Sequence, residues 1–124
     1  MILRLAIDLD NTICENKKPC QEYGDVVPMK DAVDSLKAFR DRGYYIIIFT
    51  ARNMRTFEGN VGKINKFQGP VINSWLQKWE IPYDELVLGK PHVDFLIDDK
   101  GIEFKNNWTE VAERLLLEEE RLKK

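Results

Sequence analysis

The chain has 124 residues, of which 44% are hydrophobic, and a formal net charge of −2 at pH 7. This length suits one domain over residues 1–124 with an ordinary globular core. The weakly acidic charge gives no basic footprint, which disfavours a nucleic-acid partner. No apolar run is long enough to cross a bilayer, and the first predicted strand begins at once, so we expect neither a signal peptide nor a membrane partner. Two cysteines are too few for a disulfide framework, which favours a cytoplasmic protein.

Four apolar runs without alternation predict strands buried on both faces, as in a parallel sheet. In chain order they are Ile2–Leu9, Tyr44–Phe49, Leu86–Leu88 and Val93–Ile97. Apolar positions at helical spacing predict three helices. These are Met29–Arg42, with Gly43 as its C-terminal cap, then Pro70–Glu80, and finally Trp108–Lys123. The stretches Cys14–Pro28 and Ala51–Gly69 contain prolines or glycines and are predicted loops.

The predicted order of strands and helices indicates an α/β fold built from βαβ units. We expect a three-layer, doubly wound, Rossmann-like parallel sheet. Such sheets bind ligands at the carboxyl ends of their strands, where the strand order reverses. The two predicted loops are too short for a separate cap domain, and we expect them to control specificity.

Polar residues lie at the carboxyl ends of the four predicted strands. They are Asp8 and Asp10 at the end of the first, Thr50 after the second, Lys90 after the third, and Asp98 and Asp99 after the fourth. Because the carboxyl ends of parallel strands share one edge, we expect these side chains to meet in one pocket. Asp8 and Asp10 are costly neighbours, since like charges raise each other's pKa unless a cation or a proton holds them together. The pair therefore indicates a metal site or a reaction.

This set of residues suits phosphoryl transfer. One carboxylate can attack phosphorus to form an aspartyl-phosphate, which divides one difficult displacement into two easier ones. A second can protonate the leaving oxygen and later deprotonate the attacking water. Further carboxylates can hold Mg²⁺, while a hydroxyl and an ammonium bind the phosphoryl oxygens.

The pattern resembles the haloacid dehalogenase (HAD) superfamily of phosphohydrolases over about residues 1–105. Its first motif, Asp-x-Asp-x-Thr, is matched by Asp8 to Thr12, and its later motifs by Thr50, Lys90 and the Asp98-Asp99 pair. In this sequence Asn11 replaces the glycine common after the second aspartate. Because dehalogenating members lack that second acid, Asp10 favours phosphate esters over haloacids as substrates.

The resemblance implies a role for each matched residue. Asp8 would be the nucleophile and a Mg²⁺ ligand, and Asp10 the general acid and base, with its backbone carbonyl on the metal. Asp98 would ligate Mg²⁺ directly and Asp99 directly or through water, although this division between the two stays open. The expected phosphate-binding residues are Asn11, Thr12, Thr50, Ala51 and Lys90.

A narrower resemblance links the segments Ala51–Lys66, Ile81–Glu85 and Gly89–Pro91 to small, capless HAD proteins called capsule biosynthesis phosphatases. It implies a sugar phosphate or similar small metabolite of surface-polysaccharide synthesis as the substrate. The site of a capless protein is open, so a homo-oligomer in which a neighbouring subunit completes it stays an open expectation.

Three further residues and two further functions stay open at this stage. Arg52, Asn53 and Arg55 follow Thr50 and are substrate-binding candidates, although exposed loop charges explain them equally well. One alternative function is a phosphatase for nucleotides or nucleic-acid ends, which the basic loop residues Arg52, Arg55, Lys63 and Lys66 would serve. The other is a binding module that keeps the fold without catalysis.

Overall fold

A computed structural model describes residues 2–123 of the chain. The strands are β1 (Arg4–Ile7), β2 (Tyr45–Thr50) and β3 (Glu85–Leu88). The helices are α1 (Ala32–Asp41), α2 (Val61–Lys78) and α3 (Trp108–Lys123), and a short 3₁₀ turn covers Tyr23–Asp25. None of these helices is long and apolar enough to cross a membrane.

The three strands form an open parallel sheet in the order β1-β2-β3. Leu5 lies opposite Ile46, and Ile48 is paired with Ile7 on one side and Leu86 on the other. Ile46 and Ile48 are fully buried, as expected for the central strand of a sheet. The predicted α/β fold with a parallel sheet is confirmed, and the carboxyl ends of all three strands lie at one edge.

Helix α1 ends where the sequence predicts. Gly43 follows the helix with a φ of 91° and donates its backbone N–H to the carbonyl of Arg40. Glycine reaches this left-handed region without steric cost, so it terminates the helix and turns the chain into β2.

Helix α2 begins earlier than the sequence predicts, at Val61 instead of Pro70. The Asn60 side chain accepts a hydrogen bond from the backbone N–H of Lys63, which caps the first turn. Ile64 and Ile72 are both fully buried, so one apolar face continues through Pro70. The predicted loop Ala51–Gly69 is therefore wrong in its second half, because burial of this face outweighs the helix-breaking tendency of proline and glycine.

The predicted strand Val93–Ile97 is not a strand in the structure. Phe95 is 87% exposed and Ile97 is 98% exposed, and the segment pairs with no other strand. An apolar run alone does not form a strand, because its backbone N–H and C=O groups also need hydrogen-bond partners on a neighbouring strand. Within residues 2–123 the sheet consequently has three strands in sequential order, without the reversal of strand order expected for a doubly wound sheet.

Candidate active site

Asp8 directly follows β1 and is held by two groups. Its Oδ2 accepts a hydrogen bond from the Thr12 hydroxyl at 3.2 Å, and its Oδ1 lies 3.4 Å from the Lys90 ammonium. Burial raises the pKa of the Asp8 carboxyl, and the charge of Lys90 partly offsets that effect. The carboxylate is therefore desolvated yet faces a cation, which suits a nucleophile on an anionic substrate.

A tight turn shapes the chain after Asp8. The Leu9 carbonyl accepts the backbone N–H groups of Thr12, Ile13 and Cys14. Asn11 has a φ of 64° and donates its N–H to the Cys14 carbonyl at 2.7 Å. Asparagine tolerates this left-handed conformation better than most residues, so the turn forms here without glycine.

Thr50 connects the ends of β2 and β3. It is buried, and its carbonyl accepts the backbone N–H groups of Gly89 at 3.2 Å and Lys90 at 3.1 Å. Its hydroxyl oxygen accepts the N–H of Arg52 at 3.1 Å. Together with the Lys90–Asp8 contact, these bonds bring the ends of β1, β2 and β3 to one place, as the sequence predicts for Asp8, Thr50 and Lys90.

Asp10 is paired with Arg52, which the sequence offered as a substrate-binding candidate. Arg52 donates Nη2–H to Oδ1 of Asp10 at 2.8 Å and Nε–H to Oδ2 at 3.0 Å. The Arg52 side chain is only 3% exposed. Its guanidinium also lies 4.1 Å from the ring centroid of Tyr23. Such a two-point pair fixes the orientation of the Asp10 carboxylate.

Cys14 lies beside the same pair. Its thiol is 3.5 Å from Oδ1 of Asp10, toward which it can donate, and 3.9 Å from Arg52 Nη2. Burial, followed by the charge of Asp10, raises the pKa of the Cys14 thiol to about 12. The thiol therefore stays protonated and serves as a weak donor, not as a nucleophile.

The other candidates lie in the loop between β2 and α2. Ala51 and Asn53 are half-buried, and Asn53 has a φ of 62°. Arg55 is exposed. Ala51 directly follows Thr50, whereas no side-chain hydrogen bond or ion pair joins Asn53 or Arg55 to Asp8 in the described structure.

The structure does not bring Asp98 and Asp99 to Asp8. Both are exposed, and the Asp98 carboxylate accepts the backbone N–H of Lys100 at 2.8 Å, which lowers its pKa. In the part of the chain that the structure describes, no three His, Cys, Asp or Glu residues form a group that could hold a metal ion. The arrangement in this structure therefore does not fit the expected magnesium site.

Three residues near the site carried no signal in the sequence. Tyr23 covers the Arg52 guanidinium, and Gln68 accepts a hydrogen bond from Arg52 Nη1 at 3.4 Å. Trp108 donates its indole N–H to the Thr12 carbonyl at 2.9 Å. Each partner comes from a distant part of the chain, so only the fold reveals the contact.

Comparisons with known proteins give structural relatives but no named family. No protein-family model matches the chain, and the comparison with curated proteins yields no relative. The structure of the Pnkp1/Rnl/Hen1 RNA repair complex matches 95% of this chain and 32% of that chain, with 22% identity and a TM-score of 0.51. A second structure of the Pnkp1/Rnl/Hen1 complex covers 95% of this chain and 35% of that chain, with 20% identity and a TM-score of 0.50. At these identities the likeness shows the fold alone.

A much stronger match is the crystal structure of an MCSG target from Vibrio cholerae. It is 36% identical, has a TM-score of 0.76, and covers 92% of this chain and 99% of that chain. Both chains thus match over nearly their whole length. The chain therefore belongs to the same family as this Vibrio cholerae protein.

Proposed function

We propose that the protein is a phosphomonoester phosphatase of the HAD type, without a cap domain, that works through an aspartyl-phosphate. The observation that carries this proposal is the position of Asp8. Its two oxygens face the Lys90 ammonium at 3.4 Å and the Thr12 hydroxyl at 3.2 Å, and the Thr50 carbonyl accepts the backbone N–H of Lys90. A carboxylate between a cation and a hydroxyl group at a sheet edge can bind and attack a phosphoryl group.

The proposed reaction has two steps. In the first, an Asp8 oxygen forms a bond to phosphorus, the bond from phosphorus to the ester oxygen breaks, and Asp10 gives a proton to that oxygen. In the second, Asp10 takes a proton from water and the water oxygen forms a bond to phosphorus. The bond from phosphorus to the Asp8 oxygen then breaks, which frees the Asp8 carboxylate and inorganic phosphate. In both steps the Lys90 charge offsets the negative charge of the phosphoryl oxygens, and the Thr50 hydroxyl donates a hydrogen bond to one of them.

Magnesium is part of the proposal through the resemblance to HAD phosphatases, but no step above depends on it. Among residues 2–123, no third His, Cys, Asp or Glu joins Asp8 and Asp10 in a group that could hold a metal ion. For the cation to bind as the motifs imply, Asp98 or Asp99 would have to approach Asp8. The hard carboxylate oxygens of these residues are the donor type that Mg²⁺ prefers.

The proposed substrate is a sugar phosphate or a similar small metabolite of surface-polysaccharide synthesis, in a cytoplasmic enzyme. A nucleotide or nucleic-acid end stays the alternative substrate. Arg52 is paired inside the protein, which leaves three exposed cations from the predicted basic loop: Arg55 before α2, and Lys63 and Lys66 at the start of α2. If turnover of an oligonucleotide 3′- or 5′-phosphate were faster than that of sugar phosphates and fell steeply with salt, the alternative would replace the sugar phosphate.

The first test compares wild type with Asp8→Asn on 4-nitrophenyl phosphate in the presence of Mg²⁺. We expect kcat/KM to fall at least about a thousandfold, because the variant lacks the attacking oxygen charge. Wild type, but not the variant, should also carry a phosphoryl label that hydroxylamine removes. Asp41→Asn, at the exposed end of α1, is the matched control and should keep full activity. Equal inactivity of wild type and Asp8→Asn over a panel of phosphate esters would favour a binding module without catalysis.

A further inference from the structure

We infer that Arg52 is a positioning residue for Asp10 and not a ligand of the substrate. This inference rests on the proposed function, in which Asp10 exchanges the reacting protons. It assigns Arg52 a role that the sequence does not reveal, since an arginine after a strand end is equally compatible with substrate binding.

The contacts of Arg52 occupy all three of its side-chain nitrogens. Nε and Nη2 donate to the two oxygens of Asp10 at 3.0 and 2.8 Å, and Nη1 donates to Gln68 at 3.4 Å. With the side chain 3% exposed and the Tyr23 ring covering one face at 4.1 Å, little of the guanidinium remains for a phosphate or a sugar. A substrate would have to displace Asp10 to reach it.

The same contacts join three separate parts of the fold at the Asp10 carboxyl. Arg52 itself follows β2, Gln68 belongs to α2, and Tyr23 belongs to the loop between β1 and α1. A guanidinium is a rigid planar fork, so a two-point bond fixes both the position and the plane of its carboxylate partner. Arg52 is thus anchored at the end of β2 and by Gln68 of α2. Through its two bonds to Asp10, it fixes the position of the Asp10 carboxylate relative to Asp8.

The pairing is compatible with proton exchange at Asp10. Oδ1 of Asp10 faces the Cys14 thiol as well as Arg52, whereas Oδ2 accepts the Nε–H of Arg52 with one of its two lone pairs and keeps the other for the reacting proton. The proton passes from this oxygen to the leaving oxygen in the first step and returns to it from water in the second. The role of Arg52 is to fix the direction in which that oxygen points.

A dependence on the leaving group separates positioning from substrate binding. Protonation matters for a poor leaving group such as phenol or an alkyl alcohol, and hardly at all for 2,4-dinitrophenol. The kcat/KM value reports only the steps up to phosphoryl transfer to Asp8. We expect Arg52→Met to lower kcat/KM about 10- to 100-fold for phenyl phosphate and less than about threefold for 2,4-dinitrophenyl phosphate, within the range that general acid catalysis supplies.

Arg52→Lys is the conservative variant. It also serves as the second test of the inference if circular dichroism shows that Arg52→Met does not fold. A lysine keeps the charge but cannot bind both oxygens, so we expect it to fall between wild type and Arg52→Met for phenyl phosphate. Arg121→Gln, an exposed arginine in the last turn of α3, is the control and should leave the ratio between the two esters unchanged.

The remaining outcomes distinguish this inference from the proposed function. Equal losses for the two esters, a rise in KM alone, or no loss in a folded variant would overturn the positioning role while the phosphatase stands. Wild type that turns over neither ester would overturn the proposed function, and this inference with it.

Discussion

At the scale of single residues, Gly89 determines where Lys90 lies. Its φ of 104° is one that side-chain-bearing residues rarely adopt. A Cβ built on Gly89 would lie 3.1 Å from a methyl group of Val61, at the start of α2. The backbone angle therefore favours glycine just before the lysine that faces Asp8, and a side chain there would also require Val61 to shift by a few tenths of an ångström.

We predict that Gly89→Ala lowers the free energy of unfolding by about 1–3 kcal/mol, because alanine is strained at this φ. The shift of Lys90 away from Asp8 should also reduce kcat for phosphate esters. Urea denaturation and steady-state kinetics measure the two effects. The control is Gly24→Ala, because a Cβ there meets no atom within 4 Å and the φ is not in the glycine region. Equal stability and activity of Gly89→Ala and wild type would contradict the prediction.

The sequence predicted part of the site, and the reason is geometric. Asp8, Thr50 and Lys90 each end a parallel strand, so strand direction alone brings them to one edge. The pairing of Asp10 with Arg52 could not be predicted in this way. It depends on how the β2–α2 loop folds back over Tyr23 and Gln68, which is a matter of packing between distant segments.

At the scale of elements, the three strands, α1 and α3 follow from local patterns, whereas α2 follows from them only in its second half. Gly62, Gly69 and Pro70 are helix-breaking residues that hide its first half, and tertiary burial overrides them. For the run Val93–Ile97 the pattern predicts a strand that the sheet does not include. Secondary-structure propensity alone decides neither the start of α2 nor the state of Val93–Ile97, because both depend on which neighbouring segments each one packs or pairs with.

The segment from Pro91 to Asp98, which follows β3, leads to a prediction about the proposed magnesium site. Lys90 lies against Asp8, and the eight residues from Pro91 to Asp98 can span at most roughly 26–29 Å when extended. Asp98 has enough chain to return to Asp8. We expect Asp98→Asn to raise the Mg²⁺ concentration needed for half-maximal activity at least about tenfold, since neutralising a carboxylate ligand weakens the site.

A magnesium titration of phosphatase activity measures this effect, with metal-free protein in a chelator as the baseline. Asp94→Asn, on the same segment, is the matched control and should titrate like wild type. The predicted metal role of Asp98 would be refuted if both variants titrated like wild type, and full activity in the chelator would argue against a magnesium requirement altogether.

At the scale of the whole molecule, α3 is fixed to the rest of the fold at both ends. Near its start, Trp108 is buried against Phe39 and donates to the Thr12 carbonyl. Near its end, Glu119 accepts hydrogen bonds from the Tyr44 hydroxyl at 2.7 Å and from Arg42 at 2.9 Å. The second attachment depends on a charge, so it should depend on pH.

The hydrogen bond from Tyr44, followed by those from Arg42 and Lys123, lowers the pKa of Glu119 from its usual 4.5 to about 2. A pKa that is lower in the folded state stabilises the fold above the unfolded value and loses that effect as the pH falls through the folded value. We therefore predict that wild type is more stable than Glu119→Gln at pH 6–8, that this difference shrinks as the pH falls below about 4.5, and that it is small at pH 2 and lost below it. Urea denaturation across this pH range measures the difference, and Glu120→Gln, an exposed neighbour, is the control that should show no such change. A difference between wild type and Glu119→Gln that stays constant from pH 7 to pH 3 would mean that the Glu119 charge does not hold α3 in place.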